Sequence, residues 1–569
     1  MHPRPTRPRP VPARPAAMRG ARPAALSLTV ALTVAACAGG GPVAPELADA
    51  PSGPVILPAT PDPDAADTGA ADTENPDTDA PDVELPADPQ GSLAARAATA
   101  FFASAPVVLV CDGDDPDTLA RATTLGTEAR VPVLCGAEPA DFAATVDALN
   151  VRAALTVGDV PDGTLGVTQV PVPEDAVAAA LRDGSLGERV PAIDEPRGGW
   201  MFPQFTEPQA TDDGAVGSAS NAEPSPPVVL TLADPAQASV AGPARATAVA
   251  AGATIVETPT ADPRASAATV EALTDVDPAH VVALGDGWGT SEDLGWKLAT
   301  AATGVQLPGG GQTVVPGKIY VALYGTPGTG ALGILGEQGV DATIVRAQET
   351  AGWYAELTEQ TVVPTLEIIA SVASAGPGHS GMYSNVQPVA TLRPLVDAAR
   401  EAGQYVVLDL QPGREDFLTQ AHYYEELLRE PHVGLALDPE WRLKPDQVHL
   451  RQIGQVGVEE VDEVVTYLAD LTREHHLPQK FLVLHAFQNR MIVGLDDVDR
   501  SRDELEILVH VDGQGGQGAK QTTWATLQRY APSITSWGWK NFIDEDVPML
   551  TPGQTIANVH PTPVFISYQ

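Results

Sequence analysis

The sequence predicts an α/β protein: two diverged βα repeats followed by a C-terminal (β/α)8 barrel. Three observations predict it. At 569 residues and 59.0 kDa the chain is too long for one domain of about 150 residues. From Lys318 onward, apolar runs of strand length alternate with helical stretches, the pattern of a parallel sheet with helices on its faces. Between Pro106 and Asp286 a strand–helix–strand order recurs at a spacing of roughly 120 residues, which argues for duplication. A hydrophobic content of 43% is enough to build such cores.

The first element is an address. Arg4, Arg7, Arg9, Arg14, Arg19 and Arg22 precede an apolar run from Ala24 to Ala36 with no acid among them. The run is too short to span a bilayer, which needs about 20 residues, and reads as the core of a secretory signal over 1–37. Met18 is an alternative start that leaves a more compact basic region. The sequence Val34-Ala35-Ala36-Cys37-Ala38-Gly39 resembles the bacterial lipobox. That resemblance implies lipidation of Cys37, cleavage before it, and a membrane anchor on the extracytoplasmic face of the cell envelope.

Residues 38–92 form an acidic linker of Ala, Pro, Asp, Thr and Gly. Its twelve acids, ten of them from Asp62 to Asp88, have no basic neighbour in the segment. It is expected to be disordered, because it carries too little apolar area to offset chain entropy, and to stay extended by self-repulsion. The whole chain has 33 basic and 74 acidic side chains, a formal charge of −41. That excludes nucleic acid as the main partner, since phosphate binding needs a basic face.

The first repeat spans 93–197 and the second 227–312, with a Pro- and acid-rich linker at 198–226. Strand-type runs are Pro106–Val110, Val131–Cys135 and Ala153–Val157, then Pro227–Leu232, Ala253–Val256 and His280–Leu284. This order resembles the cell wall-binding repeats of Gram-positive surface proteins. It implies flavodoxin-like βα units that hold a protein on wall polymer. The family usually carries three tandem repeats; this chain has two. Cys111 and Cys135 end neighbouring strands. A disulfide is permitted outside the cell, but buried reduced thiols are the expectation adopted.

The barrel spans 313–569. Its expected strands are Ile319–Tyr324, Thr365–Ala370, Tyr405–Leu410, Val433–Leu437, Phe481–His485, Glu506–Val511, Ser533–Trp537 and Val564–Tyr568. A doubly wound open sheet is the alternative. The chain ends on a strand, so a helix at 290–302 is expected to replace the missing last one. In such barrels the working residues sit at strand C-termini. Those positions hold Tyr324, Glu367, Asp409 and Gln411, Asp438, Glu440 and Trp441, His485, His510 and Asp512, and Trp537, Trp539 and Lys540.

Paired carboxylates with aromatic platforms are the logic of glycoside hydrolysis. Asp438 or Glu440 is the expected acid, and Asp409 or Asp512 the ionised partner. The remaining residues are expected to bind substrate, with Trp441, Trp537 and Trp539 stacking on sugar rings. The barrel is similar, at the level of fold, to glycoside hydrolases. In their largest clan the catalytic glutamates end strands four and seven; here strand seven ends in Trp537-Gly538-Trp539 with no Glu. Three longer runs resemble a family of bacterial surface proteins with no assigned activity: Val407–Arg414, Gly434–Arg442 and Trp537–Asp546.

A metal-dependent hydrolase using His485, His510 and the aspartates is a second possibility, although no His-x-His follows the first strand. A non-catalytic wall-binding scaffold is a third. The expected partner is a cell-wall glycan or another envelope polysaccharide, with no metal and no cofactor. Replacing the anchor tests the address: Cys37→Ala should release the protein into the medium or leave an uncleaved precursor. Unchanged membrane fractionation of that variant would refute the lipid anchor.

Overall fold

The computed structural model describes residues 55–57, 92–102, 104–112, 115–172, 228–233, 235–274 and 281–569. Cys37, the leader and the linker at 198–226 lie outside the described residues.

Two four-stranded parallel sheets make up the N-terminal part. The first contains β2 (Val107–Cys111), β3 (Val133–Leu134), β4 (Ala153–Val157) and β5 (Thr168–Pro171) in the order β3-β2-β4-β5. The second contains β1 (Val55–Leu57), β6 (Val228–Leu232), β7 (Thr254–Thr258) and β8 (Val281–Leu284) in the order β1-β8-β6-β7. Val55–Leu57 falls inside the linker expected to be disordered. It instead pairs with Val282–Leu284, because three consecutive apolar residues can cover a sheet edge even within acidic surroundings.

Between the sheets lie α1 (Leu93–Phe101), α2 (Pro116–Ala129) and α4 (Pro235–Ala250). A short helix, α3 (Ala143–Ala148), covers the first sheet. Leu93, Ala97 and Phe101 of α1 pack with Ala241, Ala244 and Ala248 of α4, and Ala246 joins the core of the first sheet. The small alanines let the helices approach closely, so one helical layer packs against both sheets. Cys111 and Cys135 are joined as a disulfide, which corrects the expectation of free thiols. Pairing of β2 with β3 brings the two Cα atoms to 5.1 Å, within the span a disulfide bridges.

The C-terminal part is a closed barrel of eight parallel strands. They are β9 (Lys318–Gly325), β10 (Thr361–Ala373), β11 (Tyr405–Leu410), β12 (Val433–Leu437), β13 (Lys480–Ala486), β14 (Leu505–Val511), β15 (Ser536–Asn541) and β16 (Phe565–Tyr568). Each pairs with the next, and β9 pairs with both β10 and β16, which closes the ring. Helices α5 (Ala267–Thr274) and α6 (Ser291–Ala302) precede it. Around it run α7 (Val340–Gly352), α8 (Val389–Glu401), α9 (Phe417–Tyr423), α10 (Glu425–Leu428), α11 (Val458–Glu474), α12 (Gln517–Tyr530) and α13 (Pro552–Asn558). The helix expected to complete the ring, α6, packs elsewhere: Leu294, Leu298 and Ala301 lie in the core of the second sheet. The last strand is covered from α7 instead, where Tyr354 Oη and Tyr568 Oη share a 2.7 Å hydrogen bond.

The N-terminal end of the barrel is sealed. Leu307 and Val314, from the segment entering β9, pack with Tyr320, Tyr405, Phe481 and Phe565 inside it. Tyr320 Oη donates to the Val314 carbonyl at 3.1 Å, and Gln479 Oε1 accepts from Val314 N at 3.0 Å. Beside this plug, fully buried Arg264 pairs with Asp262 at 2.7 Å and donates to the Asp503 carbonyl at 3.0 Å. Its guanidinium sits 4.5 Å from the Trp296 ring centroid, and Arg473 sits 4.8 Å from the same ring. A side chain at Gly434 would meet this floor. An added Cβ would lie 2.8 Å from the Phe481 carbonyl oxygen and 2.9 Å from Tyr405 Oη. Gly434→Ala should therefore destabilise the barrel by about 1–3 kcal/mol, read as a lower midpoint in chemical denaturation.

Candidate functional site

Strand geometry places every second side chain in the barrel interior. At the sealed end these are large and apolar: Tyr320, Val363, Tyr405, Phe481, Leu508 and Phe565. Ala322, Val407, Ala436 and Val483 follow. Two residues further on, the same parity delivers Tyr324, Glu367, Asp409, Asp438, His485, His510, Lys540 and Ser567. All are buried. The interior thus changes from apolar to polar along the strands, toward their C-terminal ends.

The polar layer is cross-bonded. His485 Nε2 lies 2.9 Å from Glu367 Oε1, and His485 Nδ1 lies 3.1 Å from Asp512 Oδ2. His510 Nδ1 is 3.6 Å from Glu367 Oε1, and His510 Nε2 is 3.1 Å from Ser567 Oγ. Tyr324 Oη donates to Asp409 Oδ2 at 2.8 Å and accepts from Gln411 Nε2 at 3.3 Å. Lys540 Nζ sits 3.4 Å from the centroid of the Tyr324 ring. Asp438 caps the short 3-10 turn Pro439–Trp441, its Oδ1 accepting from Glu440 N at 3.2 Å. That turn carries Glu440 to the rim, where it is only partly buried.

These contacts drive the carboxyl groups apart in acidity. Burial would raise Asp512, but the hydrogen bond and charge of His485 outweigh it and hold Asp512 below its usual range. Burial and the neighbouring Asp512 push Glu440 up to about 7. Burial raises Asp409 to about 6, with Glu367 adding to the effect and His485 and Tyr324 opposing it. Asp438 is pushed well above the carboxylate range by burial and by Asp409. At neutral pH Asp512 is thus held ionised, Asp438 holds its proton, and Glu440 is divided between the two states.

Most of the expected residues converge, but three placements differ from expectation. Trp537 and Trp539 are not platforms at the mouth. The seventh strand starts at Ser536 rather than Ser533, so both rings point outward and pack edge-on against Trp524 of α12, with centroids 6.0 and 5.6 Å away. The inward positions of that strand are Ser536, Gly538 and Lys540. Gln411 serves the frame as much as the pocket: its Oε1 accepts from Ala373 N at 2.9 Å. Trp441 does stand at the rim beside Glu440, half-buried and edge-on to His449 at 5.3 Å. Ser567 was not anticipated; its parity with Phe565 in the last strand is the signal that places it inside. Glu367, His485 and His510 together offer ligand atoms all within 4.8 Å of one another.

No family model matches the chain, and no curated protein matches it. Two solved structures are similar over part of it. A xylanase and α-amylase inhibitor protein from Scadoxus multiflorus is 12% identical with a TM-score of 0.28, over 44% of this chain and 92% of its own. Cwp6 from Clostridium difficile is 15% identical with a TM-score of 0.24, over 50% of this chain and 62% of its own.

The tyrosine at the centre of the layer gives a direct test. Tyr324→Phe keeps the ring under Lys540 but leaves buried Asp409 without its donor. It should cost about 1–3 kcal/mol in urea denaturation, and an unchanged midpoint would show that the bond contributes nothing.

Proposed function

We propose that the barrel mouth hydrolyses a glycosidic bond in an envelope polysaccharide. Glu440 is the general acid and Asp512 the ionised partner. The observation that carries this reading is the pairing at the rim of a partly exposed, proton-holding carboxyl with a buried carboxylate fixed by His485. Two carboxyl groups whose surroundings split their acidities divide the acid and base roles between them.

The geometry supports the assignment. Glu440 follows β12 and Asp512 follows β14, with β13 between them in the ring. Strands two apart are separated by roughly 10 Å, and inward-turned side chains shorten the gap toward the range glycosidases use. Trp441, next to Glu440, offers an apolar face to a sugar ring. Asp438, which retains its proton, acts as a hydrogen-bond donor to substrate or to Asp409 rather than as a base. Lipidation at Cys37 would hold this activity on the outer face of the membrane, and the paired α/β repeats would bring it to wall polymer.

The wild-type chain should release reducing ends from a cell-wall polysaccharide preparation. Glu440→Gln and Asp512→Asn should each lower kcat by at least about 100-fold while the fold persists. The rate should fall as pH rises through about 7, because Glu440 then loses the proton it must donate. Release of reducing ends at wild-type rate by both variants would end this assignment.

A further inference from the structure

We propose that Glu367, His485 and His510 bind a divalent transition-metal ion, zinc in the first instance, inside the barrel beneath the mouth. This goes beyond the glycosidase reading and does not rest on it.

Four observations carry the proposal. The first is composition and spacing. Two imidazoles and one carboxylate suit zinc, whose ligand atoms lie about 2.0–2.2 Å from the metal and hence roughly 3.3 Å from one another in a tetrahedron. Here His485 Nε2 to Glu367 Oε1 is 2.9 Å and His510 Nδ1 to Glu367 Oε1 is 3.6 Å. The three ligand atoms fall within 4.8 Å of one another. Small rotations of three side chains would seat an ion between them.

The second is the outer partners. A ligating histidine normally offers its second nitrogen to a carboxylate or other polar group, which fixes the ring. Both rings do so: His485 Nδ1 to Asp512 Oδ2 at 3.1 Å, and His510 Nε2 to Ser567 Oγ at 3.1 Å. The nitrogens left over are the two that face Glu367.

The third is unmet bonding capacity at the same point. His510 Nδ1 and Glu367 Oε2 are fully buried and make no hydrogen bond, and the nearby Asp409 Oδ1 also lacks one. Buried polar atoms without partners are costly, and structures seldom leave several together. A histidinium at His485 would satisfy Glu367 Oε1 and Asp512, yet it would leave these three atoms as they are.

The fourth is charge. Glu367, Asp409 and Asp512 are buried in one layer, against which the strands' inward positions set Lys540. A divalent cation offsets the excess. It would take the place of the proton between His485 Nε2 and Glu367 Oε1, and that proton would leave to solvent. His485 would thereby become neutral, still donating from Nδ1 to Asp512. The ion would then tie β10, β13 and β14 together and anchor the far end of the bridge that reaches the mouth.

The test is a metal count on the full chain, prepared without an affinity tag or chelator and dialysed against zinc. About one zinc per chain is expected by plasma mass spectrometry. Chelation should lower the Tm and added zinc should restore it. His510→Ala and Glu367→Gln should each retain less than about a tenth of an equivalent, while His475→Ala, on the surface, keeps the full amount. If the buried variants fail to fold, cobalt substitution of the wild type decides: visible d–d bands of a His-and-carboxylate site are expected. Folded wild type without stoichiometric zinc or cobalt bands overturns the proposal, as does equal zinc in folded His510→Ala and Glu367→Gln. Because none of these readouts involves polysaccharide, the metal site and the hydrolase reading can fail separately.

Discussion

The bridge from Glu367 through His485 to Asp512 is the interaction on which the upper barrel depends. It crosses from the second strand of the ring to the fifth and sixth, entirely out of water. Removing charged groups from water is expensive unless partners and hydrogen bonds replace the lost hydration. Each further polar residue in the layer follows from that demand. Asp512 stays ionised because His485 faces it, Glu440 is pushed the other way by burial and by ionised Asp512, and Tyr324 donates to the buried Asp409. The split in acidity between Glu440 and Asp512 at the rim is therefore set deeper, inside the barrel.

Much of the fold was legible in the sequence because a parallel strand buried on both faces leaves a continuous apolar run. Tyr405–Leu410 and Val433–Leu437 are such runs, and their ends coincide with the observed strands. The seventh strand was misplaced by three residues because Ser533-Ile534-Thr535-Ser536 has strand-like composition, while Trp537, Gly538 and Trp539 look like a loop. In the structure Ile534 only supports that strand, its carbonyl accepting from the Trp537 indole at 3.0 Å. The helix Pro552–Asn558 was invisible for a different reason. It is two turns long and opens Pro-Gly, and its start is fixed by a Thr551–Gln554 capping box rather than by an apolar stripe.

The site was legible in part, and parity explains which part. Residues ending a strand were chosen without regard to the face they occupy, so outward Trp537 and Trp539 were grouped with inward Lys540. Strict alternation from a known interior residue would have separated them. The same step, from Phe565 to Ser567, finds the serine beside His510. What no single-sequence pattern carries is the meeting of Glu367 with His485 and His510. The carboxylate is 118 positions from one of them, and only closure of the ring brings them together.

Sealing one end of the barrel gives the other its direction. The segment around Val314 fills the floor with Leu307 and Val314, and Gln479 and Tyr320 lock it by hydrogen bonds to Val314. Arg264 and Arg473 hold the Trp296 ring between the second α/β sheet and the base of the barrel. At the floor the hydroxyls of Tyr320 and Tyr405 are taken up by backbone partners, whereas the mouth collects four buried carboxyl groups, two imidazoles and Lys540. The conspicuous charge of −41 has little part in this. Exposed charges farther apart than about 8–10 Å are largely screened at physiological salt. What distinguishes the mouth is a few acids that the barrel has taken out of water.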